Sequence, residues 1–234
     1  MKKGISSNSR YLSLVLFLII LQGCATPATS TSNYTPPSVK EINNEIVVNK
    51  DFETVWDGLV KGLAKSFFVV NNIEKASRLI NVSFSTETPE DYVDCGRTSR
   101  AYTKGSKIAN YEYDTASNSK FTIGEGTSQN GNFTISVNII RKTSLEGRIN
   151  IYVAPENKDS VVSVNSKYVL SVNTIGTRFA ENLGGYVVQT RDITPEKFTM
   201  AFSTNEKGTS SDETWNCVSR GNLEEKILEI VKGI

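Results

Sequence analysis

The chain has 234 residues, with 26 lysines and arginines against 25 aspartates and glutamates, and no histidine. Near-neutrality excludes the broad basic face that nonspecific nucleic-acid binding needs. The lack of histidine excludes Ser-His-Asp and Cys-His nucleophile systems and the usual imidazole zinc sites, so the sequence predicts neither an enzyme nor a cofactor.

Lys2, Lys3 and Arg10 precede the apolar run 11–21 (YLSLVLFLIIL), which is too short to span a bilayer and reads as the core of a signal peptide over residues 1–23. Leu21-Gln22-Gly23-Cys24 follows at once and resembles the lipobox of bacterial lipoproteins. That resemblance implies cleavage before Cys24 and acylation of its thiol and new amino group. Loss of Lys2, Lys3 and Arg10 takes the formal charge from +1 to −2, leaving no polybasic patch, so the acyl chains themselves must hold the protein to the membrane. In such lipoproteins an aspartate after the cysteine signals inner-membrane retention. Ala25 occupies that position here, which implies the outer membrane, periplasmic side.

Residues 24–43 are rich in Thr, Ser and Pro and read as a lipidated flexible tether holding the domain ~25 Å from the bilayer. A single domain is expected over 44–234. Glu45–Val48 predicts a first strand. Asp51 is placed to cap a helix whose apolar stripe is Phe52, Val55, Trp56, Leu59, Val60, Leu63 and Phe67. Phe68–Val70 and Leu79–Phe84 then predict a hairpin, with turn chemistry at Asn71-Asn72 and at 75–77. Residues 86–131 are dominated by Ser, Thr, Gly, Asn and charge, and read as a polar insertion with short strands at 109–113 and 120–123. Its tyrosines Tyr92, Tyr102, Tyr111 and Tyr113 are candidate interaction residues, because amphipathic aromatics on polar loops give contact area at low entropic cost.

From Phe133 to Ile139 apolar and polar residues alternate, 144–147 reads as a turn, 148–153 as the returning strand, 155–160 as another turn, and 161–172 as a further strand. Gly184-Gly185 marks a loop, Phe198–Phe202 a strand, 205–213 a polar loop and Trp215–Val218 a last strand. Asn222 and Glu225 suggest a capping box opening a final helix to Lys232, buried through Leu223, Ile227, Ile230 and Val231. Together these predict an α+β fold, an antiparallel sheet covered by an N-terminal and a C-terminal helix. Once Cys24 is acylated, Cys95 and Cys217 remain as an even pair in an oxidising compartment. A disulfide is expected, two separate buried thiols being the alternative.

Residues 51–59 (Asp-Phe-x-x-Val-Trp-x-x-Leu) and the paired strands ending in Leu79-Ile80-x-Val82-x-Phe84 resemble the helix-grip domains of BamC-type outer-membrane lipoproteins of the barrel-assembly machinery. The resemblance implies a helix lying across an antiparallel sheet with Trp56 at the interface. Other motifs weigh little. Ser117-x-x-Lys120 lacks the companion motifs of serine acyl-enzymes. Gly124-x-Gly126 with Gly131 lacks dinucleotide spacing, and Glu87, Glu90, Asp91 and Asp94 lack calcium-loop spacing, so no metal is expected. Trp56 and Trp215 could line a pocket, although aromatics at core spacing are usually core. The function predicted is a noncatalytic interaction module in envelope assembly or maintenance. It would be bound to the membrane through Cys24 and to an envelope protein or glycan. The alternative is a lipid- or small-ligand-binding helix-grip protein.

Overall fold

A computed structural model describes residues 24–211 and 214–234; the expected signal segment 1–23 lies outside the described residues. In chain order the elements are β1 (Ala28–Thr35), β2 (Glu45–Val48), α1 (Phe52–Leu63), β3 (Val69–Glu74), β4 (Leu79–Thr86), a short 3-10 turn (Pro89–Asp91), β5 (Val93–Asp94), β6 (Arg97–Lys104), β7 (Lys107–Asp114), β8 (Ser119–Thr127), β9 (Thr134–Glu156), β10 (Asp159–Glu181), β11 (Val187–Ser203), β12 (Gly208–Thr209), β13 (Asn216–Ser219) and α2 (Asn222–Lys232). The expected helix-grip α+β fold is thereby corrected: the protein is mostly antiparallel sheet, 58% strand against 12% helix, with ten strands in one sheet.

The axis of that sheet is the β9–β10 hairpin, 23 residues in each strand, paired without interruption from Asp159 opposite Glu156 to Glu181 opposite Thr134. At the ~3.3 Å rise of a strand this is a ruler of about 70 Å. The expected turn at 144–147 does not exist, because Gly147 serves a different purpose. A Cβ there would lie 2.4 Å from the Phe84 ring, so the glycine lets that ring from β4 lie flat on β9. The reversal comes later, where Asn157 adopts φ 58.

Near this reversal the hairpin is flanked by β4 on β9 and β2 on β10, with β3 outside β4. Ile149, Ile151 and Val153 alternate with Val162, Val164 and Leu170 on one face, fully buried under α1 and α2. Asp51 caps α1, its carboxylate accepting from the Thr54 amide at 3.0 Å and hydroxyl at 2.7 Å. Val55, Trp56, Leu59 and Leu63 are buried as their spacing predicts, but the helix stops at Leu63 and Phe67 is left exposed. Asn222 does not cap α2; Gly221, with φ 83, is the capping residue, and Asn222 is the first helical residue. The helices therefore cover one end of the sheet and leave the rest for other elements to cover. The opposite face at this end is open, with Asn71, Asn81 and Asn150 hydrogen-bonded in a row across β3, β4 and β9 and with Val47 and Tyr152 also exposed.

At the other end the strand order runs β11-β10-β9-β8-β1-β6-β7. Two expectations are corrected there. The tether is not free: its residues 28–35 form β1, paired with β6 over eight positions from Ala28 opposite Lys104 to Thr35 opposite Arg97. Eight consecutive ladder pairs compensate the ordering of a segment whose side chains alone would not. The polar insertion is likewise ordered sheet, its suggested strands at 109–113 and 120–123 falling inside β7 and β8.

The disulfide is present: Cys95 and Cys217, 122 positions apart and both fully buried, are bonded beside a small sheet of β12, β13 and β5.

Candidate functional site

The large sheet splits. β1 meets β8 at one register pair, Ala28 opposite Gly126, while it follows β6 along its whole length. A Cβ on Gly124 would lie 2.4 Å from the Ala28 carbonyl carbon, so this glycine is what allows the β1 backbone to cross β8 so closely. Beyond the crossing, β6 and β7 stand away from β8–β11 and leave a cleft of about 440 Å³.

The walls of this cleft carry four aromatic rings and two arginines among threonine and aliphatic side chains, with Glu196 the one acidic residue among the described lining. From β6, the Arg100 guanidinium lies 4.6 Å from the Phe121 ring centre, and its Nε donates to the Tyr113 hydroxyl at 2.9 Å. Tyr113 in turn stacks on Phe121, with ring centres 5.6 Å apart and planes 7° apart. From β9, the Arg141 guanidinium lies 5.8 Å from Trp215, which packs against Phe198 of β11 at 5.3 Å. Arg141 Nη1 donates to the Ser117 carbonyl at 2.9 Å. Each arginine thus has an aromatic face beneath it and one polar contact to hold its plane, the arrangement that suits a guanidinium kept out of bulk water.

Among the described residues, neither Arg100 nor Arg141 has a carboxylate within 4.0 Å, whereas Arg97, Arg178 and Arg220 all do. Burial lowers the Arg141 pKa from its ordinary value and the charge of Arg100 adds to the shift, while Tyr113 and Asp114 oppose it. Among the described residues no carboxylate touches either guanidinium, although Glu196 also lines the cleft; the repulsion between the two like charges is relieved by an incoming anion. A planar acid-bearing group fits best, since each guanidinium offers a fork of donors to a carboxylate or phosphate.

The predicted site residues separate. Tyr113 lines the cleft and Tyr111 lies beside it, 6.3 Å from Phe121, but Tyr102 is buried with its hydroxyl 3.2 Å from Ser136, and Tyr92 packs on Phe84 at 4.7 Å. These residues form no common surface. Trp56 is core, at 3% exposure, while Trp215 lines the cleft. Ser117 Oγ donates to the Asp114 carbonyl in a turn, with no lysine bonded to it. Asp91 accepts from Thr88, and Asp94 accepts from the Gly96 amide; among the described residues no acidic or cysteine group is placed to hold a metal ion. Cys24 is a free, exposed thiol. Arg100 and Arg141 escaped the sequence reading because they lie 41 positions apart on strands that meet only through the crossing of β1. The one local sign was an arginine at an inward position of an alternating strand.

A larger hollow of about 730 Å³ shares Arg141 with the cleft, but its other charged walls mix Lys120, Lys142 and Lys197 with Glu87 and Glu146, and it has no aromatic side chain.

Comparison with family models finds no match, and neither curated proteins nor solved structures yield one.

Proposed function

We propose that this protein is a noncatalytic bacterial lipoprotein, anchored to the periplasmic side of the outer membrane through Cys24. It binds an acid-bearing envelope component, protein or glycan, in the cleft between β6–β7 and β8–β11, and serves envelope assembly or maintenance. One observation carries the binding role: two guanidiniums, each backed by an aromatic ring and neither touching a described carboxylate, open on one cavity. The anchoring role rests on Leu21-Gln22-Gly23-Cys24 behind an apolar signal core, and the exposed Cys24 thiol is compatible with acylation.

The test is photo-crosslinking in intact cells from a benzophenone amino acid at Tyr111, beside the cleft, with Arg100→Met/Arg141→Met as the control. The proposal expects a discrete crosslinked species that disappears in the double variant. Crosslinking that survives removal of both charges would refute the cleft as the binding site. Membrane fractionation of Cys24→Ala tests the anchor, and a variant that stays with the outer membrane refutes it.

A further inference from the structure

Three hairpin turns and Cys24 meet at the end of the sheet farthest from the helices. The Ala25 amide donates to the Gly131 carbonyl at 2.8 Å, which seats Cys24 against the β8–β9 turn. The carbonyl of Thr26 accepts from the Thr134 hydroxyl at 2.6 Å, at the base of the same turn, and the Thr26 methyl lies 3.6 Å from the Cβ position of Gly105 in the β6–β7 turn. Thr134 is the register partner of Glu181, where β10 ends, and Glu181 pairs with Lys104 at 2.6 Å. The β10–β11 turn therefore begins level with the point where the chain emerges from Cys24. It is closed by the Asn182 amide on the Tyr186 carbonyl at 3.0 Å and the Tyr186 amide on the Asn182 side chain at 3.0 Å.

The β10–β11 turn exposes apolar side chains, whereas the β8–β9 turn beside it exposes Gln129, Asn130 and Asn132. Leu183 is 62% exposed and Tyr186 74%, Val187 and Val188 follow them into β11, and Ile108 on the neighbouring turn is 64% exposed beside the exposed Lys107. A leucine and a tyrosine held outward on a well-bonded turn leave most of their apolar surface uncovered by the chain. Their position beside the lipobox cysteine names the occupant, because a bilayer holding the acyl chains of Cys24 would lie against these same side chains. The ordering of residues 28–35 as β1 removes the long spacer that would otherwise keep the domain away from it.

We propose that this end is a membrane seat: Leu183, Tyr186, Val187 and Ile108 enter the headgroup and upper acyl region of the phospholipid leaflet that carries the Cys24 anchor. The inference rests on the acylation of Cys24. Its consequence is orientation. The β9–β10 hairpin is held upright, the Asn157 turn stands about 70 Å out in the periplasm with the two helices on that half of the hairpin, and the cleft lies between them and the membrane. Aliphatic side chains and a tyrosine at the boundary reinforce an acyl anchor in the way amphipathic surfaces do.

The test uses the full-length protein purified from membranes and reconstituted in phosphatidylethanolamine–phosphatidylglycerol vesicles. Leu183→Cys, Tyr186→Cys and Ser77→Cys are each spin-labelled; with Cys24 acylated and Cys95 bonded to Cys217, the introduced thiol is the one that reacts. The seat predicts labels at 183 and 186 lying at or below the lipid phosphates, with a higher oxygen and a lower aqueous nickel accessibility than the label at 77. The mass of the peptide beginning at Cys24 is measured on the same sample. An acylated Cys24 with labels at 183 and 186 as water-exposed as that at 77 would overturn the seat and leave the lipoprotein reading standing. An unacylated Cys24 would overturn the lipoprotein reading, and the seat with it.

Discussion

Replacing Tyr168 by phenylalanine removes one oxygen from a fully buried polar network. Tyr168 and Glu224 are both fully buried, and among the described residues no cation pairs with the carboxylate. Instead a chain of donors does: the Gly221 amide to Ser219 Oγ at 3.0 Å, the Ser219 hydroxyl to the Tyr168 oxygen at 2.9 Å, and the Tyr168 hydroxyl to both carboxylate oxygens of Glu224 at 3.1 Å, with Thr204 Oγ1 donating at 2.8 Å. A hydrogen bond to a charged group contributes about 1.5–3 kcal/mol. Tyr168→Phe should therefore cost about 2 kcal/mol, and at roughly 2–4 °C per kcal/mol for a chain of this size lower Tm by about 4–8 °C. Urea unfolding with the disulfide intact measures it, and the m-value should not change. In a Glu224→Gln background the same substitution should cost only about 1 kcal/mol, the acceptor then being neutral. A loss below about 0.5 kcal/mol in the wild-type background would refute the claim that this relay stabilises the buried carboxylate.

The same hydroxyl sets an alkaline limit. Burial raises the Tyr168 pKa, and the Glu224 charge adds to it. The folded state therefore keeps a proton that the unfolded chain releases above about pH 10, so stability is full below that pH and falls by up to ~1.4 kcal/mol per pH unit above it. Tyr168→Phe should flatten that fall in urea titrations between pH 9 and 12. Cys95→Ala/Cys217→Ala opens a loop of 122 positions and should cost about 4–5 kcal/mol in the same unfolding assay. Alkylation before reduction should leave both cysteines unmodified by mass. Gly147→Val drives a side chain into the Phe84 ring and should destabilise by about 1–3 kcal/mol, with Phe84→Ala recovering part of that loss in a double-variant cycle. Arg141→Met, by relieving a desolvated charge, should leave the unfolding free energy within about 1 kcal/mol of wild type while abolishing the Tyr111 crosslink.

Elements whose pattern is local were readable from the residues alone. The α1 stripe of Val55, Trp56, Leu59 and Leu63 and the α2 stripe of Leu223, Ile227 and Val231 face inward where a 3.6-residue period puts them, and the Asp51 cap is where it was expected. The disulfide followed from counting cysteines against compartment. Residues whose role depends on a distant partner misled. Ser144 to Gly147 reads as a turn because serine and glycine are common in turns, and nothing nearby shows that Phe84 needs a flat glycine beneath it. Residues 28–35 look unstructured because their side chains bury little. Their order comes from backbone pairing to β6, and β6 lies nearly seventy positions away.

The overall architecture went wrong for a related reason. Two amphipathic helices and an antiparallel sheet predict a helix-covered fold, but the sequence does not state how far two strands will run before they reverse. With β9 and β10 continuing for 23 residues each, the sheet outgrows its helices, and its far half is covered by its own strands folding back. That fold-back created the cleft and set Arg100 against Phe121 and Arg141 against Trp215. Composition, period and motif determined the helices, the cysteine pair and the expectation of an anchor at Cys24, because those depend on neighbours in the chain. The cleft and the hairpin-tip end belong to the tertiary structure, because they depend on strand register and on a β1 crossing that brings remote residues together.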